Sequence, residues 1–291
     1  MQDLISPKQV AQAIGVSESS LKRWCDRGIL PSVKTAGGHR RIPVSAVLAY
    51  VRETGQTLAE PELLGLSRAT TGVTRTLDVK RERLIEALLA GDETVASQTV
   101  LNLYLAKYPL STICDDVLAP VFAEIGERWG CGDVAVYQER RACEICQRLL
   151  HEVRRALPEP KVDAPFAIGG TLDGDPYTLA TAMVELVLRD KGWRACSLGN
   201  MLPFQTLRMA LCESPAKLFW LSVTSIRDEE TFLSEFARIS EMAEQRGVAV
   251  VVGGKALTES IRRRMRYSCY CDTFGHLETF AKSHPSAPAA E

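Results

Sequence analysis

The sequence predicts a multidomain protein: a winged helix-turn-helix, then a four-helix bundle, then an α/β domain built on a parallel sheet. Three observations predict this order. The first 57 residues are basic and heavily punctuated, with a net charge of +4 in a chain whose total is −1. Residues 76–158 carry apolar side chains at helical period. From residue 163 onward, short apolar runs alternate with amphipathic stretches, the pattern of strand–helix–strand units. A chain of 291 residues has room for two or three domains, and 46% apolar with 24% charged residues is the balance of a globular protein. No run of 18 apolar residues occurs, which excludes a spanning helix. Met1-Gln2-Asp3-Leu4-Ile5 lacks a basic, then apolar, leader, and the nine cysteines are odd in number and scattered. Both facts point to reduced thiols and a cytoplasmic location.

The first segment spans residues 1–56. Ser6 caps a helix with Pro7 at its first position, running to about Ile14. Gly15-Val16 turns the chain, and Ser17 caps a second helix that runs to about Arg27 and closes at Gly28. Val33 to Ile42 reads as a hairpin around Gly37-Gly38, and a third helix starts at Pro43 and runs to about Glu53. A recognition helix carrying Lys22, Arg23 and Arg27 suits the major groove of double-stranded DNA. A wing carrying Lys34, His39, Arg40 and Arg41 suits phosphates. Trp24 is a lone aromatic on that helix and is read as core. Residues 57–75 hold Pro61, glycines and several Ser and Thr, and read as a linker.

The second segment, 76–158, divides into helices at about 78–89, 93–107, 110–128 and 135–156, broken at Gly91-Asp92, Pro109 and Gly130-Cys131-Gly132. Glu139, Cys143 and Cys146 lie at spacings that place them on one helix face. In the third, 163–283, strands fall at 165–169, 193–198, 217–222, 248–252 and 267–271, with helices between and after them. Ligands of such sheets bind outside the C-terminal strand ends. The 171–177 loop, Ser222 to Thr224, and Gly253-Gly254 all fall there, and the glycines would let backbone approach a ligand. The Pro- and Ala-rich residues 284–291 read as a disordered tail.

Residues 3–55 resemble the winged-helix DNA-binding domain of the MerR family, through Ser6-Pro7 to Trp24, Gly28-Ile29-Leu30-Pro31 and the Gly-Gly-His-Arg-Arg wing. The bundle and α/β segments are similar to cobalamin-binding modules. Together the chain resembles the CarH/LitR light-dependent repressors over nearly its full length. That resemblance implies a Trp, then Glu-His ten residues on, and an Asp-x-His-x-x-Gly loop. Here Trp129 and Glu139 stand in place, but Arg140 follows Glu139; Asp175 is kept, while Tyr177 and Ala180 replace the loop His and Gly. Ser222-Val223-Thr224 and Gly253-Gly254 match the remaining elements.

A neutral imidazole ligates cobalt, a phenol does so poorly, and a guanidinium cannot. Histidine-ligated adenosylcobalamin is therefore not expected, and no metal site is assigned. Arg140 can instead pair with a carboxylate, which favours a linear tetrapyrrole of the biliverdin type first, cobalamin second, and no chromophore third. The expected pocket takes Trp129, Glu139, Arg140 and Cys143 from the bundle. It takes Asp175, Tyr177, Ser222, Thr224, Gly253 and Gly254 from the sheet, with His276 at its rim. The expected function is a non-enzymatic transcription repressor, controlled by light or ligand, on a repeated or palindromic operator. It would act as a homo-oligomer, dimer or tetramer, away from membranes. The alternatives are a ligand-independent regulator whose C-terminal module serves oligomerisation or antirepressor binding, and a cobalamin photoreceptor with a different axial ligand. A corrinoid-carrying enzyme is disfavoured by the winged helix and by the lack of an acid–base constellation.

Overall fold

The computed structural model describes residues 4–56, 58–65 and 77–284. The chain forms two compact units, Met1–Pro109 with Asp116–Pro158, and Leu110–Asp115 with Glu159–Glu291. No helix among the described residues is long and apolar enough to cross a membrane.

In the first unit, α1 (Pro7–Ile14) starts on a capping box in which Ser6 and Gln9 satisfy each other's groups, and it ends on Gly15 in the left-handed region. Ser17 caps α2 (Glu18–Asp26). Strand β2 (Val33–Lys34) and β3 (Arg40–Pro43) form the wing, and α3 (Val44–Thr54) follows. The sequence reading omitted β1 (Leu4–Ile5), which pairs antiparallel with β3, Ile5 opposite Ile42. Two residues are too few to show a strand period. Trp24 is half-buried and its ring lies 5.1 Å from that of Tyr50 on α3, so it packs within the domain.

The expected linker at 57–75 is corrected in part. The Ala59 N–H donates to the Ala13 carbonyl at 2.7 Å, and Pro61–Leu64 form a 3-10 turn packed on α1 with Leu64 buried. These residues complete the winged helix because Leu64 and Pro61 supply apolar cover for a small core. The remainder of that linker, residues 57 and 66–75, lies outside the described residues, as does the expected tail apart from His284.

The bundle helices are α4 (Leu77–Ala90), α5 (Glu93–Leu105), α7 (Ala119–Gly130) and α8 (Val136–Ala156). Their core includes Leu84, Leu88, Val100, Tyr104, Ile125 and Leu149. The third expected helix is not continuous. It begins as α6 (Leu110–Ile113), widens into a π-helical turn at Cys114–Leu118, and resumes as α7. Pro120 has no N–H to give the Asp116 carbonyl, which accepts instead from the Arg81 guanidinium at 3.2 Å. The 76–158 boundary is also corrected: Leu110–Asp115 belong with the α/β unit. The Asp115 carboxylate there accepts the N–H groups of Phe274 and Gly275, each at 2.8 Å.

The α/β unit has five strands among its described residues, all parallel, in the order β5-β4-β6-β7-β8. They are β4 (Phe166–Thr171), β5 (Arg194–Ser197), β6 (Ala216–Ser222), β7 (Ala249–Gly253) and β8 (Cys269–Tyr270). The helices are α9 (Leu179–Asp190), α10 (Phe204–Glu213), α11 (Glu229–Gln245), α12 (Glu259–Arg262) and α13 (Phe274–Ser283). Alternation along β6 assigns the faces. Phe219 packs with Phe232 and Phe236 of α11, while the Trp220 indole donates to Thr181 of α9 at 2.9 Å. Gly169 makes room for Trp220: a Cβ there would lie 2.4 Å from the indole.

Candidate functional site

In this strand order the chain reverses direction across the sheet between β4 and β6, and the crevice outside those strand ends is where doubly wound sheets hold ligands. The loops leaving the two strands are tied together there. Asp175 is fully buried. One of its oxygens accepts the Tyr177 N–H at 3.2 Å; the other accepts the N–H groups of Thr224 and, at 3.2 Å, Ser225. Asp175 thus spends its lone pairs on backbone, joining the 171–177 loop to the 222–225 loop.

Tyr177 projects from this tie, half exposed, with the Lys255 ammonium 5.6 Å from its ring centroid. Gly254 has a different role from the one expected. Its φ is +118°, and an added Cβ would lie 2.2 Å from the Val223 carbonyl oxygen, so the close approach it permits is to the protein's own backbone. His276 is exposed on the first turn of α13 and does not line the crevice, although its neighbours Thr273, Phe274 and Leu277 do.

Below the β6 and β7 ends lies a cleft of about 180 Å³, lined by Ala180, Val184, Ser222, Gly253, Cys271 and Leu277 among others. An apolar cavity of about 150 Å³ admits one benzene ring, and drug-sized ligands need roughly 300–1,000 Å³. The cleft therefore suits one ring system, not a whole tetrapyrrole. Of its lining, the sequence reading had Ser222, Gly253 and Gly254. It took Ala180 only as a motif position, and it missed Val184, one helical turn further along α9, and the β8–α13 corner, which carries no motif.

In the first unit the expected face of α8 is present in part. The Cys143 thiol lies 3.3 Å from a Glu139 oxygen, as their spacing requires, whereas Cys146 is buried in the core. Burial, reinforced by the Glu139 carboxylate, pushes the Cys143 thiol up to about 12. It is a neutral thiol at physiological pH and a poor nucleophile toward a vinyl group. Arg140 is 70% exposed with its Nε 3.4 Å from Glu139, so its charge already has a carboxylate beside it. Trp129, at the last turn of α7, is 49% exposed. Among the described residues no three histidine, cysteine or carboxylate side chains converge as a metal site.

The basic surface divides the same way. Lys22 and Arg23 are exposed on α2, Arg27 at its C-terminal cap, and Lys34 and His39 on the wing, with Lys22 paired to Glu18 at 2.8 Å. Arg40, expected at phosphate, already has protein partners. Its guanidinium reaches Asp26 at 2.7 Å and the Lys22 carbonyl at 3.3 Å, fixing the wing to the end of α2. Arg41 beside it is half-buried.

Comparison with known proteins agrees with the reading of the winged helix and of the helical bundle. Residues 4–55 match the helix-turn-helix domain family, and residues 80–153 match the B12 binding domain family. The HTH-type transcriptional repressor CarH of Myxococcus xanthus is 27% identical over 264 residues, covering 84% of this chain and 87% of the relative. Over most of its length the chain is similar to a CarH-type helix-turn-helix repressor. The repressor CarA of the same organism is 27% identical over 271 residues, covering 88% of each. Both relatives are named as repressors, which bears out the reading of a regulator and not an enzyme. The Methanosarcina barkeri monomethylamine corrinoid protein superposes with a TM-score of 0.57 at 13% identity, over 70% of this chain and 97% of its own, a likeness of fold alone.

Proposed function

We propose that the chain is a DNA-binding transcriptional repressor whose α/β unit takes a tetrapyrrole at the C-terminal ends of its strands, and that occupancy sets its oligomeric state on a repeated operator. The observation that carries this reading is the ring-sized cleft at the β6 and β7 ends, whose lining reaches Ser222 at the base of the 222–225 loop, in a chain whose other end exposes a basic winged helix. The residues do not fit a histidine bond to cobalt: Tyr177 stands on the loop and His276 lies off the crevice. They do fit a ligand with an appended flat heterocycle, because the cleft admits one ring system. A corrinoid carries such a ring on its nucleotide tail and a bilin does not.

The expectation of a bilin rests on Arg140 as the partner of a ligand carboxylate. Arg140 shares its charge with Glu139 and the Cys143 thiol is protonated, so the order of preference becomes a corrinoid held without histidine, then a bilin. Trp129 keeps the bilin reading open, since its exposed indole suits any flat ring. The test is to mix purified protein with hydroxocobalamin, haemin or biliverdin, desalt, and record the spectrum. Retained corrinoid supports the first reading and biliverdin alone supports the second. No retained pigment, with DNA binding intact, leaves a regulator whose C-terminal module serves assembly or an antirepressor. Illuminating the loaded protein before a gel shift reads the light control that the CarH/LitR resemblance implies.

A further inference from the structure

Within the first unit, α3 stands between the DNA-reading elements and the helical bundle. On one side its Tyr50 ring meets Trp24 of the recognition helix at 5.1 Å. On the other it packs against both α5 and α8. Its last turn and the last turn of α5 exchange cations. The Arg52 guanidinium lies 4.1 Å from the centroid of the Tyr104 ring. It donates to the Tyr104 carbonyl and, through both terminal nitrogens at 3.3 Å, to the Tyr108 carbonyl. In return Lys107, just past the end of α5, donates from Nζ to the Glu53 carbonyl at 2.8 Å. The last carbonyls of any helix lack intrahelical donors and gather the negative end of its dipole, so each helix end here is capped by a cation from the other. Lys107 adopts a φ of +68° in this corner, a conformation that L-residues seldom hold without compensation.

We propose that this reciprocal cap is a latch that fixes the winged helix on the bundle in its DNA-competent orientation, with Arg52 and Lys107 as positioning residues. The latched domain is not occluded: Lys22, Arg23 and Arg27 stay exposed. The latch therefore presents the reading face at a set angle. In an oligomer that must engage two half-sites at once, a fixed angle removes part of the ordering cost of binding. Because α8 also packs on α3, the helix that carries Glu139 and Cys143 is one contact away from the element that carries Tyr50. Arg52 belongs to the basic first segment by charge, yet its contacts assign it to protein, not to phosphate.

The inference rests on the DNA-binding reading but not on the identity of any ligand. The test uses the full chain and a duplex recovered from a random pool by in vitro selection with the unaltered protein. Arg52→Ala should weaken binding about tenfold at every salt concentration while leaving the slope of log K against log salt unchanged, since no phosphate contact is lost. Arg52→Lys should recover part of the loss, and Lys107→Ala should reproduce a smaller one. Amide exchange without DNA should quicken at residues 52–55 and 104–108 in both alanine variants, with the bundle core still protected. Unchanged affinity in both variants, or a slope that falls by about one in Arg52→Ala, overturns the latch. If Arg52→Ala fails to fold, Lys107→Ala and its exchange pattern decide. Failure of the unaltered chain to recover any duplex counts against the DNA-binding reading itself, while the exchange experiment still reads the latch.

Discussion

Neighbouring residues of one type carry different roles in this chain. Arg41→Ala should lower the salt slope of DNA binding by about one, as the loss of a single phosphate contact requires. Arg40→Ala should act differently, because Arg40 ties Asp26 and the Lys22 carbonyl. It should loosen the wing with little change of slope, and Asp26→Asn should do the same in a gel shift across a salt series. The cysteines sort by environment. Cys131, Cys196 and Cys212 are exposed, Cys146 is buried, and Cys143 is pushed up to about 12. Iodoacetamide at neutral pH, followed by mass spectrometry, should label the first three well before the other two. At the crevice, Tyr177→His supplies the missing imidazole, and with hydroxocobalamin the variant's spectrum should turn toward histidine-bound corrinoid. The change should be incomplete: Asp175, which would orient that ring, already accepts three backbone N–H groups.

Two elements of the α/β unit depend on charge and on space. Helix α13 is held through Glu278, which meets Lys282, Ser111 and Lys191. Burial works against its charge, but these three partners outweigh it and hold the carboxyl down at about 2. A carboxyl with a lowered folded value adds stability that is fully present above the unfolded value of about 4.3 and is lost as the pH falls through that range toward 2. Thermal melts of Glu278→Gln should show a deficit of ~1–2 kcal/mol at pH 7 that closes as both proteins are acidified. Gly254→Ala should cost about 2 kcal/mol or more, because it combines a left-handed backbone with a Cβ placed 2.2 Å from a carbonyl oxygen. Most elements were legible in the sequence because their signals are local: Ser6 and Ser17 cap, Gly15 stops, and the α/β runs keep their period. Strand β1 and the π-helical turn were not. The first depends on a partner nearly forty residues away, and the second on where a proline removes one donor.

At the scale of the whole chain, domain order was readable and the contents of the site only partly so. The strand-end rule and the kept motif residues located the crevice. They could not show that Asp175 is spent on backbone, that Gly254 serves the Val223 turn, or that β8 and α13 line the cleft, because each depends on segments that meet only after folding. The short stretch Leu110–Asp115 carries one more consequence. It sits inside the sequence of the helical bundle yet packs on α9 and α13, so the α/β unit is discontinuous along the chain. No single cut releases that unit whole. A fragment starting at Glu159 would bare the apolar seats of Leu110 and Ile113 and leave two amide hydrogens at the head of α13 unanswered. Such a fragment should aggregate on its own, and a synthetic peptide spanning residues 108–118, supplied in trans, should rescue its solubility and raise its melting temperature.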